Sequence, residues 1–160
     1  MVTALVVLIS ARLAFQKFRN EIMGDLKKRW DGGEMFETRK RVLGQGSKDL
    51  KRTVEKAYKA RNAGKDSSGD WIIIMRLPNF YEDLGLKVKR QHVSLRSVDD
   101  WFGDAIVGEW RRWEDAIKWL RKESKQPSGA EAFQKLAQRL VELRKKLEQA
   151  KERRDRANAR

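Results

Sequence analysis

The sequence predicts an all-α protein, a small bundle of six or seven helices with a long N-terminal helix and a long amphipathic C-terminal helix. Three observations support this fold class. Apolar residues recur every three or four positions along most of the chain, which is the period of a helix with one buried face. The 160 residues include only two prolines, and 38% of them are charged, which is typical of a helical protein with much surface. This length supports one domain of ordinary size rather than two full cores.

Residues 1–30 are predicted to form one helix that is apolar at its start and amphipathic afterwards. Residues 1–11 carry no charged side chain, and at ~1.5 Å per residue they would cover about half of a ~30 Å hydrocarbon core. Their apolar side chains surround the helix, which favours the cytoplasmic half of a truncated transmembrane helix followed by basic residues that mark the inner face. The alternative is a soluble helix that packs its apolar end on the core. In the membrane interpretation the contact residues are Val2, Leu5, Val6, Leu8, Ile9, Arg12, Lys17 and Arg19.

The amphipathic part of this helix and the next two helices follow from spacing and from glycines. Apolar residues three or four apart make one face of the first helix, and the glycine pair after Asp31 ends it. A short helix is predicted over residues 34–43, and Ser47 is predicted to cap a helix that runs to about residue 63. The face of the first helix consists of Phe15, Phe18, Ile22, Leu26 and Trp30.

Two further helices complete a predicted core domain of residues 31–127. Asp70 is predicted to cap a helix through the apolar run of residues 71–75, and Gly85 is predicted to end that helix. Ser97 and Asp100 are predicted to cap a longer helix. The buried face of this longer helix consists of Phe102, Ile106, Trp110, Trp113, Ile117 and Leu120.

The last segment, residues 128–160, is predicted to be a basic helix with a heptad pattern. Its seam of apolar residues alternates between spacings of three and four, as in a coiled coil, and would pack within the chain or on a partner. The seam consists of Phe133, Leu136, Leu140, Leu143 and Leu147. Cations follow it that would contact nucleic acid or another anion: Lys145, Lys146, Lys151, Arg153, Arg154 and Arg156. The acidic residues among them favour a solvated helix face instead.

The net charge limits the classes of partner that we expect. The formal charge is +14, and the excess of cations is greatest at the two ends of the chain, +4 in residues 1–30 and +5 in residues 128–160. Basic ends fit either anionic membrane lipid or nucleic acid. The chain has no Cys, which excludes disulfides and thiolate metal sites and fits a reducing compartment.

The sequence contains no recognisable catalytic or cofactor motif. The nucleotide-binding glycine patterns, the zinc-protease motif and the serine-hydrolase motif are all missing. The single histidine, His92, lies in a basic turn and is predicted to be exposed rather than to act as a ligand or base. We therefore predict no enzymatic activity, no cofactor and no metal site.

Two groups of residues resemble a family pattern. The first is Asn79–Leu86, which reads NFYEDLGL, and the second is the Trp101–Phe102–Gly103 sequence with Trp110 further along the same helix. Over residues 5–140 the chain resembles a widespread bacterial family catalogued as a domain of unknown function. The resemblance implies one N-terminal transmembrane helix and a small helical cytoplasmic domain.

The residues of this motif also have a direct physical interpretation as part of the core. We expect Gly103 to let its helix approach the helix that carries Phe80, and Glu82 to pair with Arg111 or Arg112. The predicted core motif comprises Phe80, Glu82, Gly85, Trp101, Phe102, Gly103, Trp110 and Trp113.

The function predicted from the sequence is a non-enzymatic helical interaction or assembly module, tethered to the inner face of a bacterial membrane. Its predicted partners are anionic membrane lipid and, through the C-terminal helix, another protein or a second copy. A nucleic-acid-binding protein that uses the basic ends is the main alternative, with a cytoplasmic location. A membrane-perturbing oligomeric effector is a further alternative.

Overall fold

A computed structural model describes residues 2–65 and 69–158, with the side chains of residues 2–6 and 8 outside that description. Six helices and no strand are present in this part of the chain, so the all-α prediction is confirmed. The helices are α1 (Val2–Asp31), α2 (Gly33–Val42), α3 (Ser47–Asn62), α4 (Asp70–Lys89), α5 (Leu95–Glu123) and α6 (Glu131–Asn158).

Helix α4 lies at the centre of the bundle and contacts α2, α3, α5 and α6. Within the apolar run of residues 71–75, however, only Ile74 is buried, and Ile72 is 63% exposed. Pro78 lies inside this helix and does not end it. Around α4, α3 packs along α5, α5 packs along α6, and α1 contacts α2. The buried side chains of α4 include Ile74, Leu77, Phe80, Tyr81, Leu84 and Val88.

Helix α1 joins the bundle only through its second half. Leu26 is buried, and Trp30 packs against Phe80, Tyr81 and Phe102 with ring centroids 5.4–5.8 Å apart. Phe15 and Phe18 belong to the same predicted apolar face but are not buried with Leu26, since they are 48% and 45% exposed.

Phe18 and Arg19 both contact the turn that follows α4. His92 is half-buried rather than exposed, because its ring meets the edge of Phe18 at a centroid distance of 6.0 Å. The contact with the turn after α4 therefore lies where the packed part of α1 meets its exposed part.

Two of the predicted helix caps are wrong because the residues form contacts with other helices. Gly46 occupies the N-cap position of α3, and the Ser47 hydroxyl donates a hydrogen bond to Asp115 of α5 at 2.9 Å. Gly69 precedes α4 in a left-handed conformation, φ 64°, and Asp70 is the first helical residue, paired with Arg41 of α2.

The start of α5 is also displaced from its predicted position. Ser94 is its N-cap, and the Ser94 side-chain oxygen accepts a hydrogen bond from the Ser97 N–H at 3.0 Å. Ser97 and Asp100, the predicted caps, lie within the helix. This places Asp99 and Asp104 in the first turns of α5, facing a cation of α6.

Candidate functional site

The first turn of α6 packs on the part of α4 that carries the family-like motif, Asn79–Leu86. The Tyr81 ring stacks on Phe133 at a centroid distance of 4.7 Å, and the Glu82 carboxylate accepts a hydrogen bond from the Phe133 backbone N–H at 2.8 Å. The first N–H groups of a helix have no partner within the helix, and its N-terminus carries a partial positive charge. Glu82 therefore acts as an N-terminal cap for α6, supplied by another helix.

Gly85 does not end α4 as predicted, because α4 continues to Lys89. A Cβ placed at this position would lie 2.7 Å from the backbone carbon of Ala132 and 3.1 Å from its Cβ. Glycine is required here because only its missing side chain lets α6 approach closely enough for the hydrogen bond to Glu82, one turn earlier on the same face.

The predicted ion pair between Glu82 and Arg111 or Arg112 is replaced by other contacts. Arg112 donates to the Val42 carbonyl oxygen at 2.6 Å and lies 3.3 Å from Glu109 of its own helix. Glu82 binds the N-terminus of α6, and Arg112 binds the end of α2 instead.

Gly103 also contacts a different element from the one predicted. A Cβ at Gly103 would meet the side-chain ends of Asp99 and of Arg144 from α6, and not the α4 helix. The Arg144 Nε donates to Asp99 at 2.7 Å, and its guanidinium also binds Asp104, which raises the pKa of Arg144. Gly103 thus makes room for the cation that joins α6 to the start of α5.

The aromatic members of the predicted core motif are buried, with one exception. Phe80, Phe102, Trp110 and Trp113 are at most 8% exposed. Trp101 is 56% exposed, so its assignment to the core is wrong. One residue advances a helix by about 100°, which turns Trp101 away from the stripe that starts at Phe102. The Lys27 ammonium lies 4.5 Å from the centroid of the Trp101 ring instead.

Two polar groups lie among these aromatic side chains, the Glu109 carboxylate and the Tyr81 hydroxyl. The Trp113 indole N–H donates to the Glu109 carboxylate at 3.1 Å, and burial raises the pKa of Glu109 against the opposing effects of Arg112 and Trp113. The Tyr81 hydroxyl is buried without a hydrogen-bond partner in the described part of the chain, and burial raises the pKa of its phenol, with Glu109 adding to the rise. Within residues 2–65 and 69–158, no group of three or more acidic or histidine side chains could hold a metal ion.

The predicted membrane contacts lie on the exposed first half of α1. The side chains of Val2, Leu5, Val6 and Leu8 are outside the described residues. Ile9 is 51% exposed, and Arg12 and Lys17 are exposed. Arg19 is half-buried, with its guanidinium 3.3 Å from the Gln91 carbonyl oxygen and stacked 4.4 Å from the Phe15 centroid. Exposed apolar side chains that the prediction did not include also lie here, namely Val7, Leu13, Phe15 and Phe18.

Among the residues that the structure describes, no helix combines the length and the apolar content needed to cross a membrane.

The predicted seam of α6 is buried over its first half and exposed over its second. Phe133, Leu136 and Leu140 are at most 2% exposed, Leu143 is half-buried and Leu147 is 41% exposed. Arg144 binds Asp99 in the first turns of α5, so the remainder of α6 extends past the end of its neighbour. The predicted anion contacts are all exposed there: Lys145, Lys146, Lys151, Arg153, Arg154 and Arg156.

A cleft that no sequence motif indicated lies between α3, α4 and α5. Its volume is about 480 Å³, and its walls include Tyr58, Arg61, Trp71, Glu82 and Arg121. Trp119 packs behind Tyr58 at a centroid distance of 5.6 Å and is half-buried. These residues come from separate helices, and the only local signal for them is the unusual density of aromatic residues next to cations.

Comparison with known proteins gave one match. Neither the curated proteins nor the solved structures include a match to this chain. A model of the family DUF4760, described as a domain of unknown function, matches residues 3–140. The match ends at Leu140, the last fully buried residue of α6, so it spans the helices from α1 to the packed half of α6. The chain therefore belongs to the DUF4760 family.

Proposed function

We propose that this chain is a non-enzymatic helical interaction module held at an anionic membrane surface, the inner face of a bacterial membrane, by the first half of α1. The observation that carries this proposal is the exposure of Val7, Ile9, Leu13, Phe15 and Phe18, which ranges from 45% to 62%. Five large apolar side chains on about three turns form a surface of the kind that marks a contact with a membrane or a protein.

Charge favours a membrane as the occupant of this surface. The same segment carries Arg12, Lys17 and Arg19, and no acidic residue precedes Glu21. Each cation close to an anionic bilayer contributes about 1 kcal/mol, and buried apolar side chains add to that binding. In the attachment we propose, α1 enters the headgroup region and the bundle stays outside it.

Vesicle co-sedimentation of the full chain tests this proposal. We expect binding to phosphatidylcholine vesicles that contain phosphatidylglycerol, weaker binding to phosphatidylcholine alone, and a loss on going from about 50 to about 500 mM salt. The variant L13S/F15S should bind at least about tenfold more weakly. A matched control is L43S/I72S, which changes two exposed apolar residues elsewhere, 73% and 63% exposed, and should bind as the wild type does.

Three results would overturn the proposal. They are the absence of vesicle binding at low salt, an equal loss in both double variants, and oligomers in buffer that L13S/F15S converts to monomers. The last result would assign the exposed face of α1 to contacts between copies.

The end of α6 supports a second candidate function, nucleic-acid binding. Six exposed cations and three exposed acidic residues lie between positions 145 and 156, after the last fully buried residue described in α6. Phosphate contacts of this kind would give binding with little sequence preference and a steep dependence on salt. A gel-shift titration of double-stranded DNA and of RNA at about 50 mM salt tests it, and no shift with either would exclude this function.

A further inference from the structure

The cleft between α3, α4 and α5 has the size of a small-molecule site. Its volume of about 480 Å³ lies within the ~300–1,000 Å³ range of ligand pockets. The end of α3, residues 71–82 of α4, the last turns of α5 and the connection to α6 contribute its walls. All three helices also contribute buried residues to the core.

One side of the cleft is lined by aromatic side chains. Tyr58 and Trp71 meet edge to face with ring centroids 5.3 Å apart, and the Arg61 guanidinium lies 5.4 Å from the Trp71 centroid. Met75 and Leu120 add apolar surface beside them. A planar apolar group can lie against the face of one ring and meet the edge of the other.

Arg121 supplies a cation with an unused donor. Its Nε donates to the Gly129 carbonyl oxygen at 2.7 Å and its Nη1 donates to Gln134 at 2.9 Å. Its Nη2 is buried, and among residues 2–65 and 69–158 it has no hydrogen-bond partner. Two hydrogen bonds orient this guanidinium, and a small displacement that uncovers Nη2 would let it donate to an anionic acceptor, since carboxylate and phosphate oxygens match its geometry.

The charge of the cleft also favours an anion. Arg61 and Arg121 face a single carboxylate among the described lining residues, that of Glu82. The Glu82 carboxylate already accepts the Phe133 N–H at the positive end of α6, so it is partly neutralised. Asn62 and Asn79 add uncharged polar groups at the rim.

We propose that this cleft binds a small aromatic anion, a planar ring that bears one carboxylate or phosphate group. The ring lies against Tyr58 and Trp71, and the anionic group accepts hydrogen bonds from Arg121 and Arg61. This site is separate from the exposed half of α1, so it stands whether or not the chain binds a membrane.

Titration of the full chain with four probes tests this assignment. The probes are benzoate, phenyl phosphate, neutral benzyl alcohol and inorganic phosphate, and the readout is the NMR signals of the Trp71 indole N–H and the Arg121 Nε–H. We expect both signals to move with benzoate or phenyl phosphate at concentrations up to about 10 mM, and at least about tenfold weaker binding of benzyl alcohol and inorganic phosphate. The comparison of benzoate with phenyl phosphate identifies which acidic group fits.

Variants distinguish binding of a probe in the cleft from a general effect of protein charge on binding. R61Q removes an exposed guanidinium without touching the core, and it should weaken binding of the preferred probe at least about fivefold. R52Q is the matched control, because Arg52 lies on the same helix, 79% exposed and outside the cleft. R121K tests the buried guanidinium, with thermal unfolding as the check that the variant folds.

The proposal is overturned if neither aromatic anion moves both signals, if benzyl alcohol binds as tightly as benzoate, or if R61Q and R52Q behave alike. Loss of vesicle binding in L13S/F15S with unchanged probe binding would show that the two surfaces act independently.

Discussion

Glu82 shows how a single side chain positions a whole helix in this protein. Its carboxylate lies at the N-terminus of α6, where it accepts the Phe133 N–H and meets the positive end of the helix dipole. We expect E82A to lower the free energy of unfolding by about 1–2 kcal/mol, the usual range for loss of a helix cap. E82Q should lose less, because the amide oxygen can still accept the hydrogen bond.

Urea unfolding followed by circular dichroism measures both changes. E114A is the matched control, since Glu114 makes an exposed i,i+4 ion pair with Lys118, and its removal should cost no more than about 0.5 kcal/mol. Equal losses in E82A and E114A would contradict the capping role.

Glu109 makes stability depend on pH. Burial raises the pKa of this carboxyl above its ordinary value of 4.5, so the folded protein binds the proton more tightly than the unfolded chain does. Stability from this group is therefore present below about pH 4.5 and is lost as pH rises through the raised pKa. E109Q does not titrate and still offers an oxygen to the Trp113 indole N–H.

We expect the stability of E109Q relative to the wild type to increase between pH 4 and pH 8, measured as the difference in free energy of unfolding. Other titrating groups contribute equally to both proteins and cancel in the difference. A difference that stays constant or decreases with pH would show that ionised Glu109 is well accommodated by Arg112.

Individual residues were predicted well where helical spacing alone decides their burial. Phe102, Trp110 and Trp113 follow the stripe of α5 and are buried, while Trp101 shares their chemistry but lies one step off the stripe. Contacts such as Glu82 with Phe133, 51 positions apart, depend on how helices cross, and a single sequence does not contain that information.

At the scale of helices, two glycines in helix interiors have opposite expected effects. A Cβ at Gly85 would overlap the backbone of Ala132, so G85A should push α6 away and cost about 1–3 kcal/mol. Nothing lies within 4 Å of a Cβ at Gly108 in α5, so G108A should gain about 0.5–1 kcal/mol from the restricted unfolded chain and better helix propensity.

The two variants serve as controls for each other in one thermal unfolding experiment. The expected result is a lower midpoint for G85A and a higher midpoint for G108A. A stabilised G85A would mean that α6 does not rest on α4 at this point.

The presence of each helix could be predicted from apolar periodicity. The residues at which the helices begin and end could not always be predicted. Ser47 and Asp70 look like caps by residue type, yet Asp115 and Arg41 bind their side chains from other helices. Gly85 looks like a helix end for the same local reason, whereas its role is set by α6. Whether such a residue caps a helix, ends it or allows another helix to approach closely depends on tertiary packing. That packing overrides the local preference of the residue type.

For the whole molecule, the arrangement of the helices explains why the cleft could not be predicted from the sequence. Placing α4 at the centre brings Tyr58 of α3, Trp71 of α4 and Arg121 of α5 to one cleft. Each of these residues alone looks like an ordinary part of an amphipathic helix. By contrast, the apolar start of α1 could be recognised from the sequence, although its apolar stripe does not show that Phe15 and Phe18 are exposed.

The whole molecule also divides into a packed bundle and a protruding end of α6. Leu140 is the last fully buried residue described in α6, and Arg144 binds Asp99 and Asp104 of α5. A chain that ends at Leu147 keeps both features and loses only exposed turns. We expect its free energy of unfolding to stay within about 0.5 kcal/mol of the full chain.

L140A gives the contrasting result in the same urea titration, because a fully buried leucine is replaced and the cost should be about 2–5 kcal/mol. If the shortened chain keeps its stability, it becomes the clean reagent for nucleic-acid binding, since any loss of a gel shift then comes from the missing cations and not from unfolding. A loss of more than about 1 kcal/mol on truncation would mean instead that the end of α6 folds back on the bundle or pairs with a second copy.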